Sequence, residues 1–138
     1  MLDIIFDLNT ISTVGQHVAT LLDVKLPLLL YGEMGSGKTT LTKQIAKALG
    51  VTDDVTSPTF NIMQSYKAGK QTFWHIDLYR LEGKSNIEEL GLDELNYQNL
   101  LIIEWPQYLE RLFNPHIKGI LKVLANGQRH LILEKIHE

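Results

Sequence analysis

The sequence predicts an α/β fold: a central mixed sheet, partly parallel and partly antiparallel, flanked by helices. Three observations carry this expectation. Leu28–Tyr31 and Leu100–Ile103 are short, continuous apolar runs, the composition of strands covered on both faces. Two longer stretches repeat apolar residues three and four apart, as helices with one buried face do. Two pairs of strand-like segments enclose polar turns, which adds antiparallel hairpins.

Taken in order, Leu2–Asp7 reads as a first strand. Thr10 stands where a helix cap is needed, and Ile11, Val14, Val18, Leu21 and Leu22 form one face of a helix running to about Asp23. Pro27 introduces the buried strand Leu28–Tyr31. A second helix carries Leu41, Ile45, Ala48 and Leu49 on one face and stops at Gly50. Phe60–Tyr66 and Thr72–Leu78 alternate as strands around the polar connection 67–71. Ser85-Asn86-Ile87-Glu88 is a capping box opening a short helix that Gly91 ends. Leu100–Glu104 is an apolar strand with an acid at its C-terminal tip. Asn126-Gly127 joins Ile117–Leu124 to Arg129–Ile136 as a hairpin.

Composition narrows the function classes. At 138 residues, 44% hydrophobic and 21% charged, one globular domain is expected, spanning 1–138 without repeat or linker. A net charge of −3, with Arg80, Arg111 and Arg129 the only arginines, argues against autonomous nucleic-acid binding, and no DNA partner is expected. The absence of cysteine excludes disulfides and thiolate metal sites. Asp3 and Asp7 stand where a secretory leader needs basic residues, and no apolar run approaches membrane-spanning length. A cytoplasmic location with no membrane partner is the expectation.

The chemistry concentrates in Gly32-Glu33-Met34-Gly35-Ser36-Gly37-Lys38-Thr39-Thr40, a G-x-x-x-x-G-K-T sequence set between the apolar strand and the second helix. Glycines allow a tight loop whose amide N–H groups turn inward, and the next helix adds its positive dipole end. That combination is a phosphate cradle, and it places the chain among P-loop nucleotide-binding folds. Lys38 is expected on the β- and γ-phosphates and the Thr39 hydroxyl on Mg²⁺. Glu33, Met34, Gly35, Ser36, Gly37 and Thr40 supply the rest of the cradle.

A Mg-nucleotide also needs a carboxylate near the metal and a group that orients the attacking water. Asp77 ends the run Phe73-Trp74-His75-Ile76, and Glu104 ends Leu100-Leu101-Ile102-Ile103. Each is an acid released at a strand's C-terminal end, where functional groups of open α/β sheets gather. Either acid also reads as a helix cap or a surface carboxylate. His75 shares a strand face with Asp77 and reads either as a group orienting the acid or phosphate or as a structural histidine. Ser57-Pro58-Thr59-Phe60 lies where a switch segment follows the first helix after such loops, although Ser-Pro also simply starts turns. No N-K-x-D or D-x-x-G sequence marks a guanine reader, so adenine is the default base.

Gly32 to Thr40, Val55-Thr56-Ser57-Pro58-Thr59-Phe60, His75-Ile76-Asp77-Leu78-Tyr79-Arg80 and Ile103-Glu104-Trp105-Pro106 together resemble the TsaE (YjeE) family in order and spacing. The resemblance spans about residues 8 to 110, with a weaker tail. The loop is generic, whereas S-P-T-F, H-x-D-L-Y-R and E-W-P in combination are specific. Glu33-Met34 and Ser36 stand where the family more often has Asp-Leu and Ala. The resemblance implies a P-loop fold, slow ATP hydrolysis, and support of N6-threonylcarbamoyladenosine (t6A) formation in tRNA with a TsaB–TsaD pair, so that tRNA is met through the complex. By motif, it implies Thr39 and Glu104 on Mg²⁺, and Asp77 on the metal through water or positioning the nucleophile. It further implies Thr59 as a switch threonine, Trp105 close to the nucleotide, Leu8–Thr10 near the adenine, and Arg129 within reach of the site. Trp105 also reads as core packing or a partner contact, and Tyr79 and Arg80 as interface residues.

Three functions follow from these readings. The first is an ATPase coupled to a tRNA-modification complex, with Lys38, Asp77 and Glu104 carrying the chemistry and little turnover alone, because no arginine finger is built in. The second is a nucleotide-dependent adaptor with negligible turnover. The third, a small-molecule kinase, needs an acceptor pocket and an arginine-bearing lid for which this chain has little room.

Overall fold

The computed structural model describes residues 1–55, 62–79, 99–106 and 112–137. Its elements are β1 (Leu2–Phe6), α1 (Ile11–Leu21), β2 (Leu28–Tyr31), α2 (Lys38–Ala48), β3 (Met63–Ala68), β4 (Gln71–Asp77), β5 (Leu100–Glu104), β6 (His116–Val123) and β7 (Arg129–Ile136). The strands form one sheet in the order β1-β7-β6-β2-β5-β4-β3. Strands β6, β2, β5 and β4 run parallel at its centre, while β1, β7 and β3 join antiparallel. The sheet is therefore mixed, as the hairpin signals require.

Burial explains the apolar runs. Leu28, Leu29 and Leu30 are fully buried because β2 lies at the middle of the sheet with both faces covered. Leu28 and Leu30 join α1, α2, Phe73, Leu100 and Ile102 in one core, whereas Leu29 joins Ile76, Leu101, Ile103 and Phe113 on the opposite face. Both described helices thus cover the same face. They meet closely at Gly15, where an added Cβ would lie 2.7 Å from Gln44 Cβ.

Several boundaries depart from the sequence reading. Thr10 holds the N-cap position of α1, but its hydroxyl makes no bond to the helix. It accepts from the Asp7 amide at 3.1 Å instead, closing the turn after β1. On α2 the buried residues are Lys38, Leu41, Thr42, Ile45 and Ala46, while Ala48 is exposed. At about 100° per residue Ala48 falls outside the arc from Leu41 to Ala46. Gly50 does end α2: its amide reaches Lys47 O and the Val51 amide reaches Ala46 O, the bond pair of a Schellman motif.

The hairpin of β3 and β4 is tighter than a five-residue loop. Ala68 pairs with Gln71, leaving Gly69-Lys70 as the turn with Gly69 at φ 64°. In the β6–β7 hairpin, Leu124 and Gln128 exchange contact through a 2.8 Å amide bond, so Asn126-Gly127 closes a three-residue loop. The capping box at Ser85–Glu88, Gly91 and Phe60 fall outside the described residues.

Candidate functional site

Glycine geometry builds the loop after β2. Gly35 and Gly37 adopt φ values of 81° and 100°, a region that a Cβ disfavours. Gly37 is the N-cap of α2 and offers no side-chain cap, so the helix presents bare amides at its positive end. Within the loop the Ser36 amide donates to Glu33 O at 3.0 Å. Ser36 itself is buried, and its Oγ has no partner among the described residues. Glu33, Met34, Gly35 and Thr40 are exposed around it.

Lys38 opens α2 and folds back over the loop. Its Nζ donates to Gly32 O and, at 3.1 Å, to Glu33 O. It also lies 4.4 Å from the centre of the Trp105 ring, a cation–π contact. Burial holds its pKa below the ordinary lysine value, with Glu104 and Asp77 pulling the other way. The cation thus rests on two neutral carbonyls and one aromatic face, none of them an anion.

The two strand-end acids meet the loop. Register pairs Asp77 with Glu104, and Leu30 with Glu104, which brings the tips of β4, β5 and β2 together. Glu104 is buried, and its Oε2 accepts from Thr39 Oγ1 at 3.4 Å and from His75 Nε2. Asp77 accepts the Tyr79 amide at 3.0 Å. Burial raises its pKa; the Tyr79 amide opposes, Glu104 adds to the rise, and His75 and Lys38 pull down. Two carboxylates side by side thus sit in different environments, one held by donors and one kept reluctant to ionise.

Trp105 follows Glu104 in a left-handed conformation, φ 55°, unusual for a bulky residue. Its ring stands 4.9 Å from that of Tyr79. Arg129, at the start of β7, donates from Nε to Ser36 O at 2.8 Å and from Nη1 to Gly127 O at 2.6 Å. The C-terminal hairpin is therefore tied to the loop.

A cleft of about 370 Å³ is lined by the loop, Lys38, Thr39, Thr40, Asp77, Glu104, Trp105 and Arg129. A smaller cavity of about 120 Å³ continues past Gly37 and Thr40 to Phe6, Leu8, Ile11 and Leu121. Sequence reasoning missed Leu121, which carries no motif and arrives only through the register of β6. Thr10 lines neither this cavity nor the cleft, and its hydroxyl is engaged by Asp7. Thr59 and Arg80 lie outside the described residues.

The donor set suits a hard divalent cation beside phosphate. It offers a hydroxyl and two carboxylates, with no cluster of three or more His, Cys, Asp or Glu among the described residues. Mg²⁺ uses few protein oxygens and completes its shell with water and phosphate, and the bare amides of α2 fit the anion.

Compared with known proteins, residues 6–131 match the family "Threonylcarbamoyl adenosine biosynthesis protein TsaE". The chain belongs to the TsaE family. The match extends past residue 110, through β6 and the first residues of β7. A Rickettsia conorii protein named tRNA threonylcarbamoyladenosine biosynthesis protein TsaE is 40% identical over 104 residues, covering 74% of this chain and 59% of that protein. The Bacillus subtilis protein of the same name is 39% identical over 106 residues, covering 75% of this chain and 66% of its own length. The chain thus spans about 59% of the length of the Rickettsia relative. A crystal structure of Bacillus subtilis YdiB superposes with a TM-score of 0.81 at 25% identity, covering 98% of this chain and 85% of that one. The fold is that of a P-loop NTPase with a mixed sheet. No helix among the described residues is long and apolar enough to cross a membrane.

Proposed function

We propose that this TsaE-family chain binds Mg-ATP, hydrolyses it slowly, and supports t6A formation in tRNA together with a TsaB–TsaD pair in the cytoplasm. One observation carries the reading: a glycine loop with bare helix amides meets a Thr39–Glu104 contact and Asp77 where the ends of β4 and β5 lie side by side. The names of the Rickettsia and Bacillus relatives support the pathway.

In this reading the amides from Glu33 to Thr40 hold the phosphates, and Lys38 leaves the Gly32 and Glu33 carbonyls for the β- and γ-oxygens. Thr39 and Glu104 hold Mg²⁺, which when bound neutralises charge building on the transferred phosphoryl group. Asp77, near the same point but with a raised pKa, orients water or accepts its proton. Trp105 and Tyr79 form an aromatic wall that limits bulk water. Phe6, Leu8, Ile11 and Leu121 form the apolar wall for adenine.

Slow turnover follows from Arg129. It is the arginine among the described residues, and two of its N–H groups already serve carbonyls. The same observation favours the alternative of an ATP-dependent adaptor. Phosphate release from the chain with TsaB, TsaD, Mg²⁺ and ATP decides between them. Release well above that of either component supports the ATPase, whereas tight ATP binding with background release supports the adaptor.

A further inference from the structure

We infer that His75 is a positioning residue that fixes the Glu104 carboxylate for a divalent cation. The inference rests on the Mg-nucleotide reading above and deepens it by assigning a role to a side chain that touches neither nucleotide nor metal.

His75 lies in the middle of β4 with none of its surface exposed. Its strand neighbours on the same face are Phe73, fully buried in apolar core, and Asp77 at the cleft. Register sets His75 opposite Ile102 and Asp77 opposite Glu104, so the imidazole reaches Glu104 diagonally across the β4–β5 pair. Its Nε2 bonds Glu104 Oε2, and its Nδ1 is buried without a partner among the described residues. A carboxylate oxygen can only accept, so in this bond Nε2 is the donor. Packing alone favours a hydrocarbon in such a slot, because a buried nitrogen without a partner costs free energy. The bond to Glu104 is what the imidazole supplies and a hydrocarbon lacks.

The chemistry of that bond suits a cation ligand. Glu104 has three side-chain torsions, and its Oε2 also takes the Thr39 hydroxyl at 3.4 Å. A donor fixed in the sheet selects one rotamer before the cation arrives, which reduces the ordering needed on binding. The imidazole does so through one N–H of a ring fixed in the sheet. A lysine or arginine in its place would compete with the metal for the same oxygen. An asparagine would not span the distance, since its amide ends about where Nδ1 lies.

Mn²⁺ affinity, read from the electron paramagnetic resonance of the free ion with a non-hydrolysable ATP analogue present, tests this directly. His75→Leu is expected to weaken Mn²⁺ binding by roughly ten- to a hundredfold, the usual effect of losing such a partner. Nucleotide affinity in EDTA should stay near wild type, because the loop amides are untouched. His75→Gln, whose amide N–H reaches about as far as Nε2, should recover most of the loss, and His75→Asn should not. Circular dichroism melts establish folding; should the leucine variant fail to fold, the glutamine–asparagine pair decides. Wild-type Mn²⁺ affinity in a folded His75→Leu or His75→Asn overturns the inference, as does a glutamine variant no better than asparagine. A wild-type chain that holds no Mn²⁺ with nucleotide overturns the Mg-nucleotide reading itself, a result distinguishable from the others.

Discussion

At the scale of single residues, Lys38, Glu104 and Asp77 are separated by the partners each already has. Lys38 shares its ammonium between two carbonyls and the face of Trp105, none of which matches a phosphate in charge. Lys38→Ala is therefore expected to reduce ATP affinity by at least about tenfold in calorimetric titration, since charge-assisted bonds are the strong ones; an unchanged affinity contradicts the placement of the cradle. Glu104→Ala removes the carboxylate that Thr39 and His75 both address. With Mg²⁺ saturating, phosphate release should fall more than ATP affinity does, and the opposite pattern would move Glu104 from chemistry to binding. Asp77 yields a prediction about pH. Its folded pKa is raised, first by burial, above the ordinary 3.8, so ionising it on the folded chain costs more than on the unfolded one. The folded state therefore loses relative stability as pH rises through that raised value, and the loss persists at neutral pH. Asp77→Asn should raise the melting temperature at pH 7 in EDTA by a few degrees. That gain should shrink through the acid range and vanish below 3.8, where both forms are neutral; a gain that survives there would rule out ionisation as its cause.

At the scale of elements, the site depends on where α2 begins and on how α1 holds it. The two helices approach closely at Gly15, where a Cβ would meet Gln44 Cβ at 2.7 Å and its backbone carbon at 2.8 Å. Gly15→Ala is expected to cost about 1–3 kcal/mol by overpacking, read as a lower denaturant midpoint, with ATP affinity retained while the chain is folded. A neutral effect would mean that the helices separate freely, and then the placement of α2 rests on the sheet alone. Much of this architecture was legible beforehand. Leu28–Tyr31 and Leu100–Glu104 match the observed strands residue for residue, because a continuous apolar run is what a central strand requires. The loop and both acids were legible because glycines, a lysine and strand-end carboxylates have few other uses in that order. Thr10 misled because a hydroxyl at a helix start serves a preceding turn as readily as the helix. Ala48 misled because alanine is accepted on either side of a helix. The His75–Glu104 bond and the arrival of Leu121 were hidden because both depend on register between strands distant in sequence, which no local pattern records.

At the scale of the whole molecule, the cradle is the point where distant parts of the chain are joined. Strand β2 enters it, α2 leaves it, and Arg129 reaches it from the far end of the sequence through a 2.8 Å bond to Ser36 O. The hairpin that carries Arg129 also pairs β7 with β1, so the loop is linked to the sheet edge as well as to its centre. A ligand that tightens the loop should therefore stabilise the fold as a unit. At a concentration a hundred times its dissociation constant, Mg-ATP is expected to add about 2.7 kcal/mol to the unfolding free energy, seen as a rise of several degrees in Tm. The same concentration should move Lys38→Ala by about half as much or less, since a tenfold weaker affinity leaves about 1.4 kcal/mol, and an equal rise in that variant would place the ligand elsewhere. Hydrogen exchange then locates the effect. Protection should rise at residues 32–40 and, through Arg129, at the 124–129 turn of the β6–β7 hairpin. In Arg129→Ala the first increase should persist while the second is lost. If the turn stays protected without the guanidinium, the two regions are coupled through the sheet, and Arg129 serves the loop alone.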